Sequence, residues 1–595
     1  ARTDSIGANV DAIPIASKDA APKILQLPIT WPLSPFCRST RFSLAAHQLI
    51  TLPSRQKPGL SMQFLSPTRQ WIRGEGKVMA RLFCYMMAMV MAMLALPVRA
   101  EDGYDLWLRY APAEQARAAD ISAHARTIVP VENGSTMEVA TRELQRAVAH
   151  MTGRAPTLAT TPTAGALWLA TPRSAPGIPL SLKELGAEGY AIRSIDRGGQ
   201  PATLIAANSD IGLLHGSFHW LRLAQTNAPL DRLDIRSAPR IGLRLLNHWD
   251  NLDGTVERGY AGMSIWDWWR LPDYKGPRYT DYARANASIG INGTVLNNVN
   301  AKAESLSAPY IAKAAALADI FRPYGIKVYL SVKWTAPMEL DGLKTADPLD
   351  AQVAAWWKAK ASEIYRAIPD FGGFLVKANS EGQPGPQDYD RTHADGANML
   401  AAAVKPHGGI VMWRAFVYAH DNPDDRAKQA YDDFKPLDGQ FADNVLVQVK
   451  NGAIDFQPRE PFHPLFGAMP KTPLMMEFQI TKEYLGQSTH LTYLGPLFEE
   501  ALDADTYAKD KGSTVAKVID GSLDGHKLTG IAGVANIGVM NAFSRKLGNV
   551  GGGGLLNQFP NKAQLDILTI ADVPDDSLQF ANLGSGPFFP DPTSD

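Results

Sequence analysis

Cysteine is almost absent from this 595-residue chain: only Cys37 and Cys84 occur, so neither a disulfide framework nor a Cys-ligated zinc site can be built in a familiar spacing. Excess charge of one sign is lacking too. The formal net charge is −1, which leaves no electrostatic footprint for nucleic acid or an acidic membrane surface. No Gly-rich phosphate turn follows an early strand, and the run Gly551–Gly554 follows no strand and contains no Lys. Long apolar runs are confined to Leu82–Leu96, too short to span a bilayer comfortably. The remainder is ordinary globular material, 45% hydrophobic and 20% charged, enough for roughly three or four domains.

The apolar run has a leader's flanks. Met79-Ala-Arg81 gives a basic start, and Pro97-Val-Arg-Ala100 offers small residues for cleavage before Glu101. Residues 79–100 are therefore predicted to be a secretory signal peptide, with the mature protein periplasmic or extracellular and off the membrane. Residues 1–78, rich in Pro, Ser and Arg without sustained periodicity, are expected to be a disordered or spurious extension. Cleavage after Ala100 would leave a cysteine-free exported protein.

From 101 to 237 the pattern mixes short strands (Leu167–Thr171, Gly189–Arg193, Ala202–Ala206) with helical spacing over Thr141–Met151 and Asp210–Leu223. This predicts a small α/β domain with no catalytic constellation. Residues 238–545 then alternate strands with helices. The strands are expected at Arg244–Asn247, Gly293–Asn297, Lys327–Val332, Gly373–Val376, Ile410–Trp413, Val445–Val449, Leu474–Gln479 and Gly530–Ala535. Helices such as Pro309–Phe321 and Ala351–Ile368 fall between them, with apolar residues at i, i+3 and i+4. The fold class is thus α/β, a (β/α)8 TIM barrel preceded by a small α/β domain, rather than an open sheet.

In such a barrel the carboxyl ends of the strands form the active-site mouth. Charge gathers there. The fourth strand runs into Lys377 and Glu381, the fifth into Arg414, the sixth into Lys450 and then Asp455, and the seventh into Glu483; Trp249 follows the first. Several carboxylates without a His cluster for a metal fit glycoside hydrolysis, in which one acid protonates the leaving oxygen and one carboxylate activates water. The cations fit a substrate that itself carries a carboxylate. Tryptophan offers a flat apolar face to a sugar ring.

Four motifs carry a resemblance. Asn247-His-Trp-Asp-Asn-Leu-Asp-Gly254 with Glu257-Arg-Gly-Tyr-Ala-Gly262 is the first, and Lys377-Ala-Asn-Ser-Glu-Gly-Gln-Pro-Gly385 the second. The others are Lys450-Asn-Gly-Ala-Ile-Asp-Phe-Gln-Pro-Arg-Glu460 and Glu477-Phe-Gln-Ile-Thr-Lys-Glu-Tyr484. Together they resemble the family 67 glycoside hydrolases, xylan α-1,2-glucuronidases. The resemblance implies Glu381 as general acid, with Asp455 and Glu483 flanking the water as base candidates. It further implies that Lys377, Arg414 and Lys450 hold the uronate carboxylate and that Trp249 lines the sugar pocket. It implies inversion at the anomeric carbon, no metal and no cofactor. The implied substrates are small acidic xylo-oligosaccharides that carry (4-O-methyl-)glucuronic acid on the non-reducing terminal xylose.

The resemblance ends after Gly533-Val-Ala-Asn-Ile-Gly538. Residues 546–595 are expected to be a divergent, disordered tail, from a frameshift or a truncated gene product. The family's dimer contacts are then lost, and the ring is expected to have an imperfect eighth unit with an exposed edge. Two other readings follow from the residues: an inactive product, or a barrel glycosidase of the hexosaminidase type. The latter predicts an adjacent Asp-Glu pair after the fourth strand, where Ser380-Glu381 stands instead.

Overall fold

A computed structural model describes residues 105–535 apart from short stretches at 131–132, 179, 197–198, 200, 258–262, 418–425, 455–459 and 481–493. It also describes the backbone of Gly538–Val539, Asp566–Thr569 and Gln579–Asn582. Residues 79–100, expected to be a signal peptide, and residues 1–78 lie outside the described residues.

The first domain is a six-stranded sheet in the order Thr157–Leu158, Thr127–Pro130, Ala166–Ala170, Pro201–Ala207, Tyr190–Asp196, Asp234–Ser237. The first four strands run parallel, and Tyr190–Asp196 is antiparallel to both its neighbours. Helices Ser135–Thr152 and Asp210–Gln225 cover one face, where Leu144, Val148, Leu214 and Phe218 meet Leu167 and Ile205 in a closed apolar core. The second helix starts where the sequence allows: Ser209 is extended, and its side chain accepts from Gly212 N, satisfying one of the free amides of the first turn. A buried ion pair ties this domain to the next. Arg284 donates from Nε and Nη2 to both oxygens of Glu143 at 2.8 and 2.7 Å, and Tyr110 OH donates to the same carboxylate at 2.5 Å.

Residues 243–535 form a closed, all-parallel barrel. Its strands are β1 (Leu243–His248), β2 (Gly293–Val295), β3 (Lys327–Ser331), β4 (Gly373–Val376), β5 (Ile410–Arg414), β6 (Val445–Lys450), β7 (Leu474–Gln479) and β8 (Gly530–Ala535). Almost every strand residue is buried, because one face packs on the helices and the other on the lumen. The expectation of an open eighth unit is corrected. β8 pairs with β7 from Gly530 to Val534 and with β1 from Gly530 to Ala535, so no edge is left in the ring. Its six residues Gly-Ile-Ala-Gly-Val-Ala are small enough to sit between two packed neighbours. Beyond β8, Gly538–Val539 pairs antiparallel with Met263–Ser264, and Asp566–Thr569 pairs antiparallel with Gln579–Asn582.

The lumen is layered. Its lower part holds Leu243, Leu245, Val295, Tyr329, Leu375, Met412, Leu446 and Met475 in one apolar cluster. The tight packing requires glycine at the foot of β4: Gly373 has φ +133°, and a Cβ there would lie 1.9 Å from the carbonyl oxygen of Ile410. Because side chains alternate along a strand, the next inward positions are Asn247, Lys377, Arg414, Gln448 and Glu477, all buried. One step up each strand, the lumen changes from hydrocarbon to hydrogen-bonding groups.

Candidate active site

β4 ends in a loop built to aim one carboxylate. Asn379, Glu381 and Gly382 take φ values of +49°, +50° and +76°, and Ser380 pairs with Gln383 across the turn. Asn379 tolerates this conformation and anchors it, since its Oδ1 accepts from Gln387 N at 3.1 Å and its Nδ2 donates to Asp388 at 3.1 Å. A left-handed glutamate has no such excuse. It costs on the order of 1–3 kcal/mol and persists where the surroundings impose it. The result is that Glu381 turns back over the strand end and accepts a hydrogen bond from Lys377 Nζ.

Lys377 is buried, and its ammonium also donates to Asn300 Oδ1 at 2.8 Å. Asn300 and Asn298, from the loop after β2, donate to the same oxygen of Glu257 at 3.0 and 2.7 Å. Burial and the Arg414 charge push the Lys377 ammonium below its ordinary pKa, against the pull of Glu381 and Glu257. Glu381 itself keeps a 46% exposed side chain, so it faces solvent at the lip rather than an apolar wall.

Arg414 lies deeper. Its Nε and Nη2 donate to the two oxygens of Glu477 at 2.8 and 2.5 Å. Gln448 Nε2 donates to the same carboxylate, and Lys450 is its register partner on β6. Burial alone would raise the Glu477 pKa, but the Arg414 charge, the hydrogen bonds from Arg414 and Gln448, and the Lys450 charge hold it below the usual carboxylate range. The two parallel hydrogen bonds that a guanidinium can make to a carboxylate thus go, on this edge, to Glu477. A uronate contact would use another edge.

Lys450 is buried with its Nζ 3.2 Å from the centroid of the Phe416 ring. Trp249 is only 8% exposed and packs among Leu245, Val295 and Val299. Its outward neighbours hold it. His248 Nε2 lies 2.8 Å from Tyr282 OH, which lies 3.0 Å from Thr294 Oγ1, while Ser264 Oγ donates to Asp250. Four inward side chains bear buried polar atoms with no hydrogen-bond partner among the described residues: Asn247 (both amide atoms), Trp249 Nε1, Ser331 Oγ and Gln448 Oε1. Each such atom costs about 1–3 kcal/mol unless a ligand or water meets it.

Of the residues picked out from sequence, Trp249, Lys377, Glu381, Arg414 and Lys450 come together at this mouth. Asp455 and Glu483 lie outside the described residues. Sequence reasoning gave no role to Glu477, Glu257 or Phe416, although the first two stand in the motifs quoted above. The signal for Glu477 was a charge inside an apolar strand, Leu-Met-Met-Glu-Phe-Gln, two positions after the inward Met475. Among the described residues no three His, Cys, Asp or Glu side chains cluster so as to hold a metal ion.

Comparison with known proteins agrees with the architecture. Residues 106–220 match the glycosyl hydrolase family 67 N-terminus and residues 223–543 its middle domain. Residues 531–595 match a domain of unknown function (DUF4147). Alpha-glucuronidase A of Emericella nidulans is 42% identical over 470 residues, covering 75% of this chain and 55% of the relative. Alpha-glucuronidase of Hypocrea jecorina is 41% identical over 466 residues, covering 75% and 54%. The chain spans about half the length of these relatives. Among solved structures, the beta-N-acetylhexosaminidase of Streptomyces coelicolor A3(2) aligns at a TM-score of 0.40 and 13% identity, over 71% of this chain and 83% of that one. The middle-domain match alone runs through all eight barrel strands and most of the mouth, and the chain belongs to glycosyl hydrolase family 67.

Proposed function

We propose that this chain is an exported α-glucuronidase. It releases (4-O-methyl-)glucuronic acid from the non-reducing terminal xylose of small xylo-oligosaccharides, with inversion. One observation carries the reading: the half-exposed Glu381 is held by Lys377 at the lip of a mouth whose inner wall presents Arg414 and Lys450. A cationic wall below a carboxylic acid suits an anionic sugar whose glycosidic oxygen lies above its carboxylate.

The names of the curated relatives support uronic acid as the sugar released. The unpartnered polar atoms of Asn247, Trp249 and Ser331 suit a polyhydroxylated ligand, whose hydroxyls would satisfy them.

In this mechanism Glu381 gives its proton to the xylose oxygen as the glycosidic bond breaks. Water attacks the anomeric carbon from the opposite face and loses a proton to Asp455 or Glu483. Lys377 orients the acid through its hydrogen bond to Glu381. Burial and the Arg414 charge weaken the hold of Lys377 on its own proton. Export rests on the leader at 79–100, and among the described residues no helix is long and apolar enough to cross a membrane.

Incubation of the purified chain with aldotetraouronic acid tests the proposal. Free methylglucuronate is expected, and a substrate left intact by a folded protein would refute the reading.

A further inference from the structure

Inward positions alternate along β5, so Phe416 follows Ile410, Met412 and Arg414 into the mouth. Its ring is 7% exposed. Three cations of the mouth, among the described residues, face it: Lys450 Nζ lies 3.2 Å from the ring centroid, Arg414 Cζ 5.2 Å and Lys377 Nζ 5.4 Å. They come from three adjacent strands, β4, β5 and β6, and would repel one another around an ordinary apolar residue.

A ring face solves this in a way a carboxylate cannot. Its quadrupole attracts cations within about 6 Å, yet it carries no charge to compete with an incoming carboxylate. Arg414 and Lys377 are fixed by hydrogen bonds to Glu477 and Glu381, which take up part of their donor capacity. Lys450 is pressed closest to the ring.

We propose that Phe416 is a positioning residue for recognition of anionic sugars, its ring gathering Lys450, Arg414 and Lys377 into one cationic surface that meets the substrate carboxylate. The inference rests on the reading that these cations bind a uronate. It assigns to Phe416 the preference for a uronic acid over the corresponding neutral sugar.

The test replaces Phe416 with 4-fluoro-, 3,5-difluoro- and 3,4,5-trifluorophenylalanine in the full chain, and measures binding of D-glucuronate and D-glucose by calorimetry. Fluorine drains the ring face of negative potential while nearly keeping its shape. Glucuronate affinity is expected to fall stepwise, about tenfold in all, with glucose affinity flat. Phe416→Leu should match the trifluoro ring, and Phe416→Tyr should restore binding. Equal glucuronate affinity across the series, or parallel loss for both sugars, would show that the ring only fills space and overturn the inference. A parent protein with no preference for glucuronate over glucose would overturn the underlying reading as well, and is distinguishable because it appears before any substitution is made.

Discussion

Arg414 and Glu477 meet edge to edge inside the barrel, two hydrogen bonds in parallel, with side chains only 2% and 1% exposed. They sit on β5 and β7, and Gln448 of the intervening β6 donates to the same carboxylate. An arginine that would otherwise be a mobile recognition group is thereby held in a fixed plane below the lip. The orientation of the cationic wall is set from below, before any ligand arrives.

Removing either partner should therefore reveal a buried charge. Arg414→Met is expected to cost about 3–5 kcal/mol of stability, because the buried Glu477 loses its guanidinium partner and keeps only the Gln448 hydrogen bond and the Lys450 charge. Arg414→Met combined with Glu477→Gln should recover most of that loss, since Gln448 keeps a neutral acceptor. Denaturant midpoints for the parent, the two singles and the double measure the coupling. A single variant as stable as the parent would mean that the pair carries no buried charge.

The leaving group should report on Glu381. Glu381→Gln keeps a side chain of the same length beside Lys377 but has no proton to give. Hydrolysis of the proposed substrate, a glucuronide with xylose as leaving group, is expected to fall by about 10²–10⁴-fold, and that of an aryl uronide with a good leaving group far less. Equal losses for the two substrates would remove Glu381 from the acid role.

Stereochemistry is a separate check. The reading of Asp455 or Glu483 as base, across the mouth from Glu381, requires a gap of about 6.5–9.5 Å that admits water. Proton NMR early in the reaction should then display the β-anomer of the uronic acid released from the α-linked substrate. The α-anomer appearing first would point to a retaining mechanism.

Two buried histidines give stability a pH slope. Burial pushes His393 down to about 4; burial, then the Lys450 charge, push His463 down to about 3. In the unfolded chain both take a proton near pH 6.5. Between about pH 6.5 and these folded values the unfolded state binds more protons, so stability is full above 6.5 and falls as pH drops. Each histidine contributes up to about 1.4 kcal/mol per pH unit in that window. The double variant His393→Gln, His463→Asn should have a flatter melting temperature between pH 7 and 4.5 than the parent. An unchanged slope would sink this assignment.

The barrel was legible because parallel strands, buried on both faces, read as uninterrupted apolar runs. Val445–Lys450 and Leu474–Gln479 depart from their predicted spans by no more than one residue. The small domain was harder. Thr127–Pro130 and Asp234–Ser237 were missed because they are four residues long and partly exposed, with too little pattern to show. At the mouth, charges just past strand ends stood out, whereas Glu477 lay hidden inside a strand and Phe416 read as one more apolar residue. Their roles follow from inward parity and from neighbours far away in sequence, which a linear reading does not register.

The left-handed backbone of Glu381 also bears on how this gene would drift. At φ +50° glycine or asparagine fits with less strain than any glutamate, so the folded chain alone gains by losing the acid. The lost hydrogen bond to the buried Lys377 and selection for chemistry oppose that gain. In a lineage that no longer used the enzyme, position 381 should be among the first of the mouth to change, and toward those two residues rather than at random. A survey of decaying copies of this gene would thus read purifying selection from a single codon.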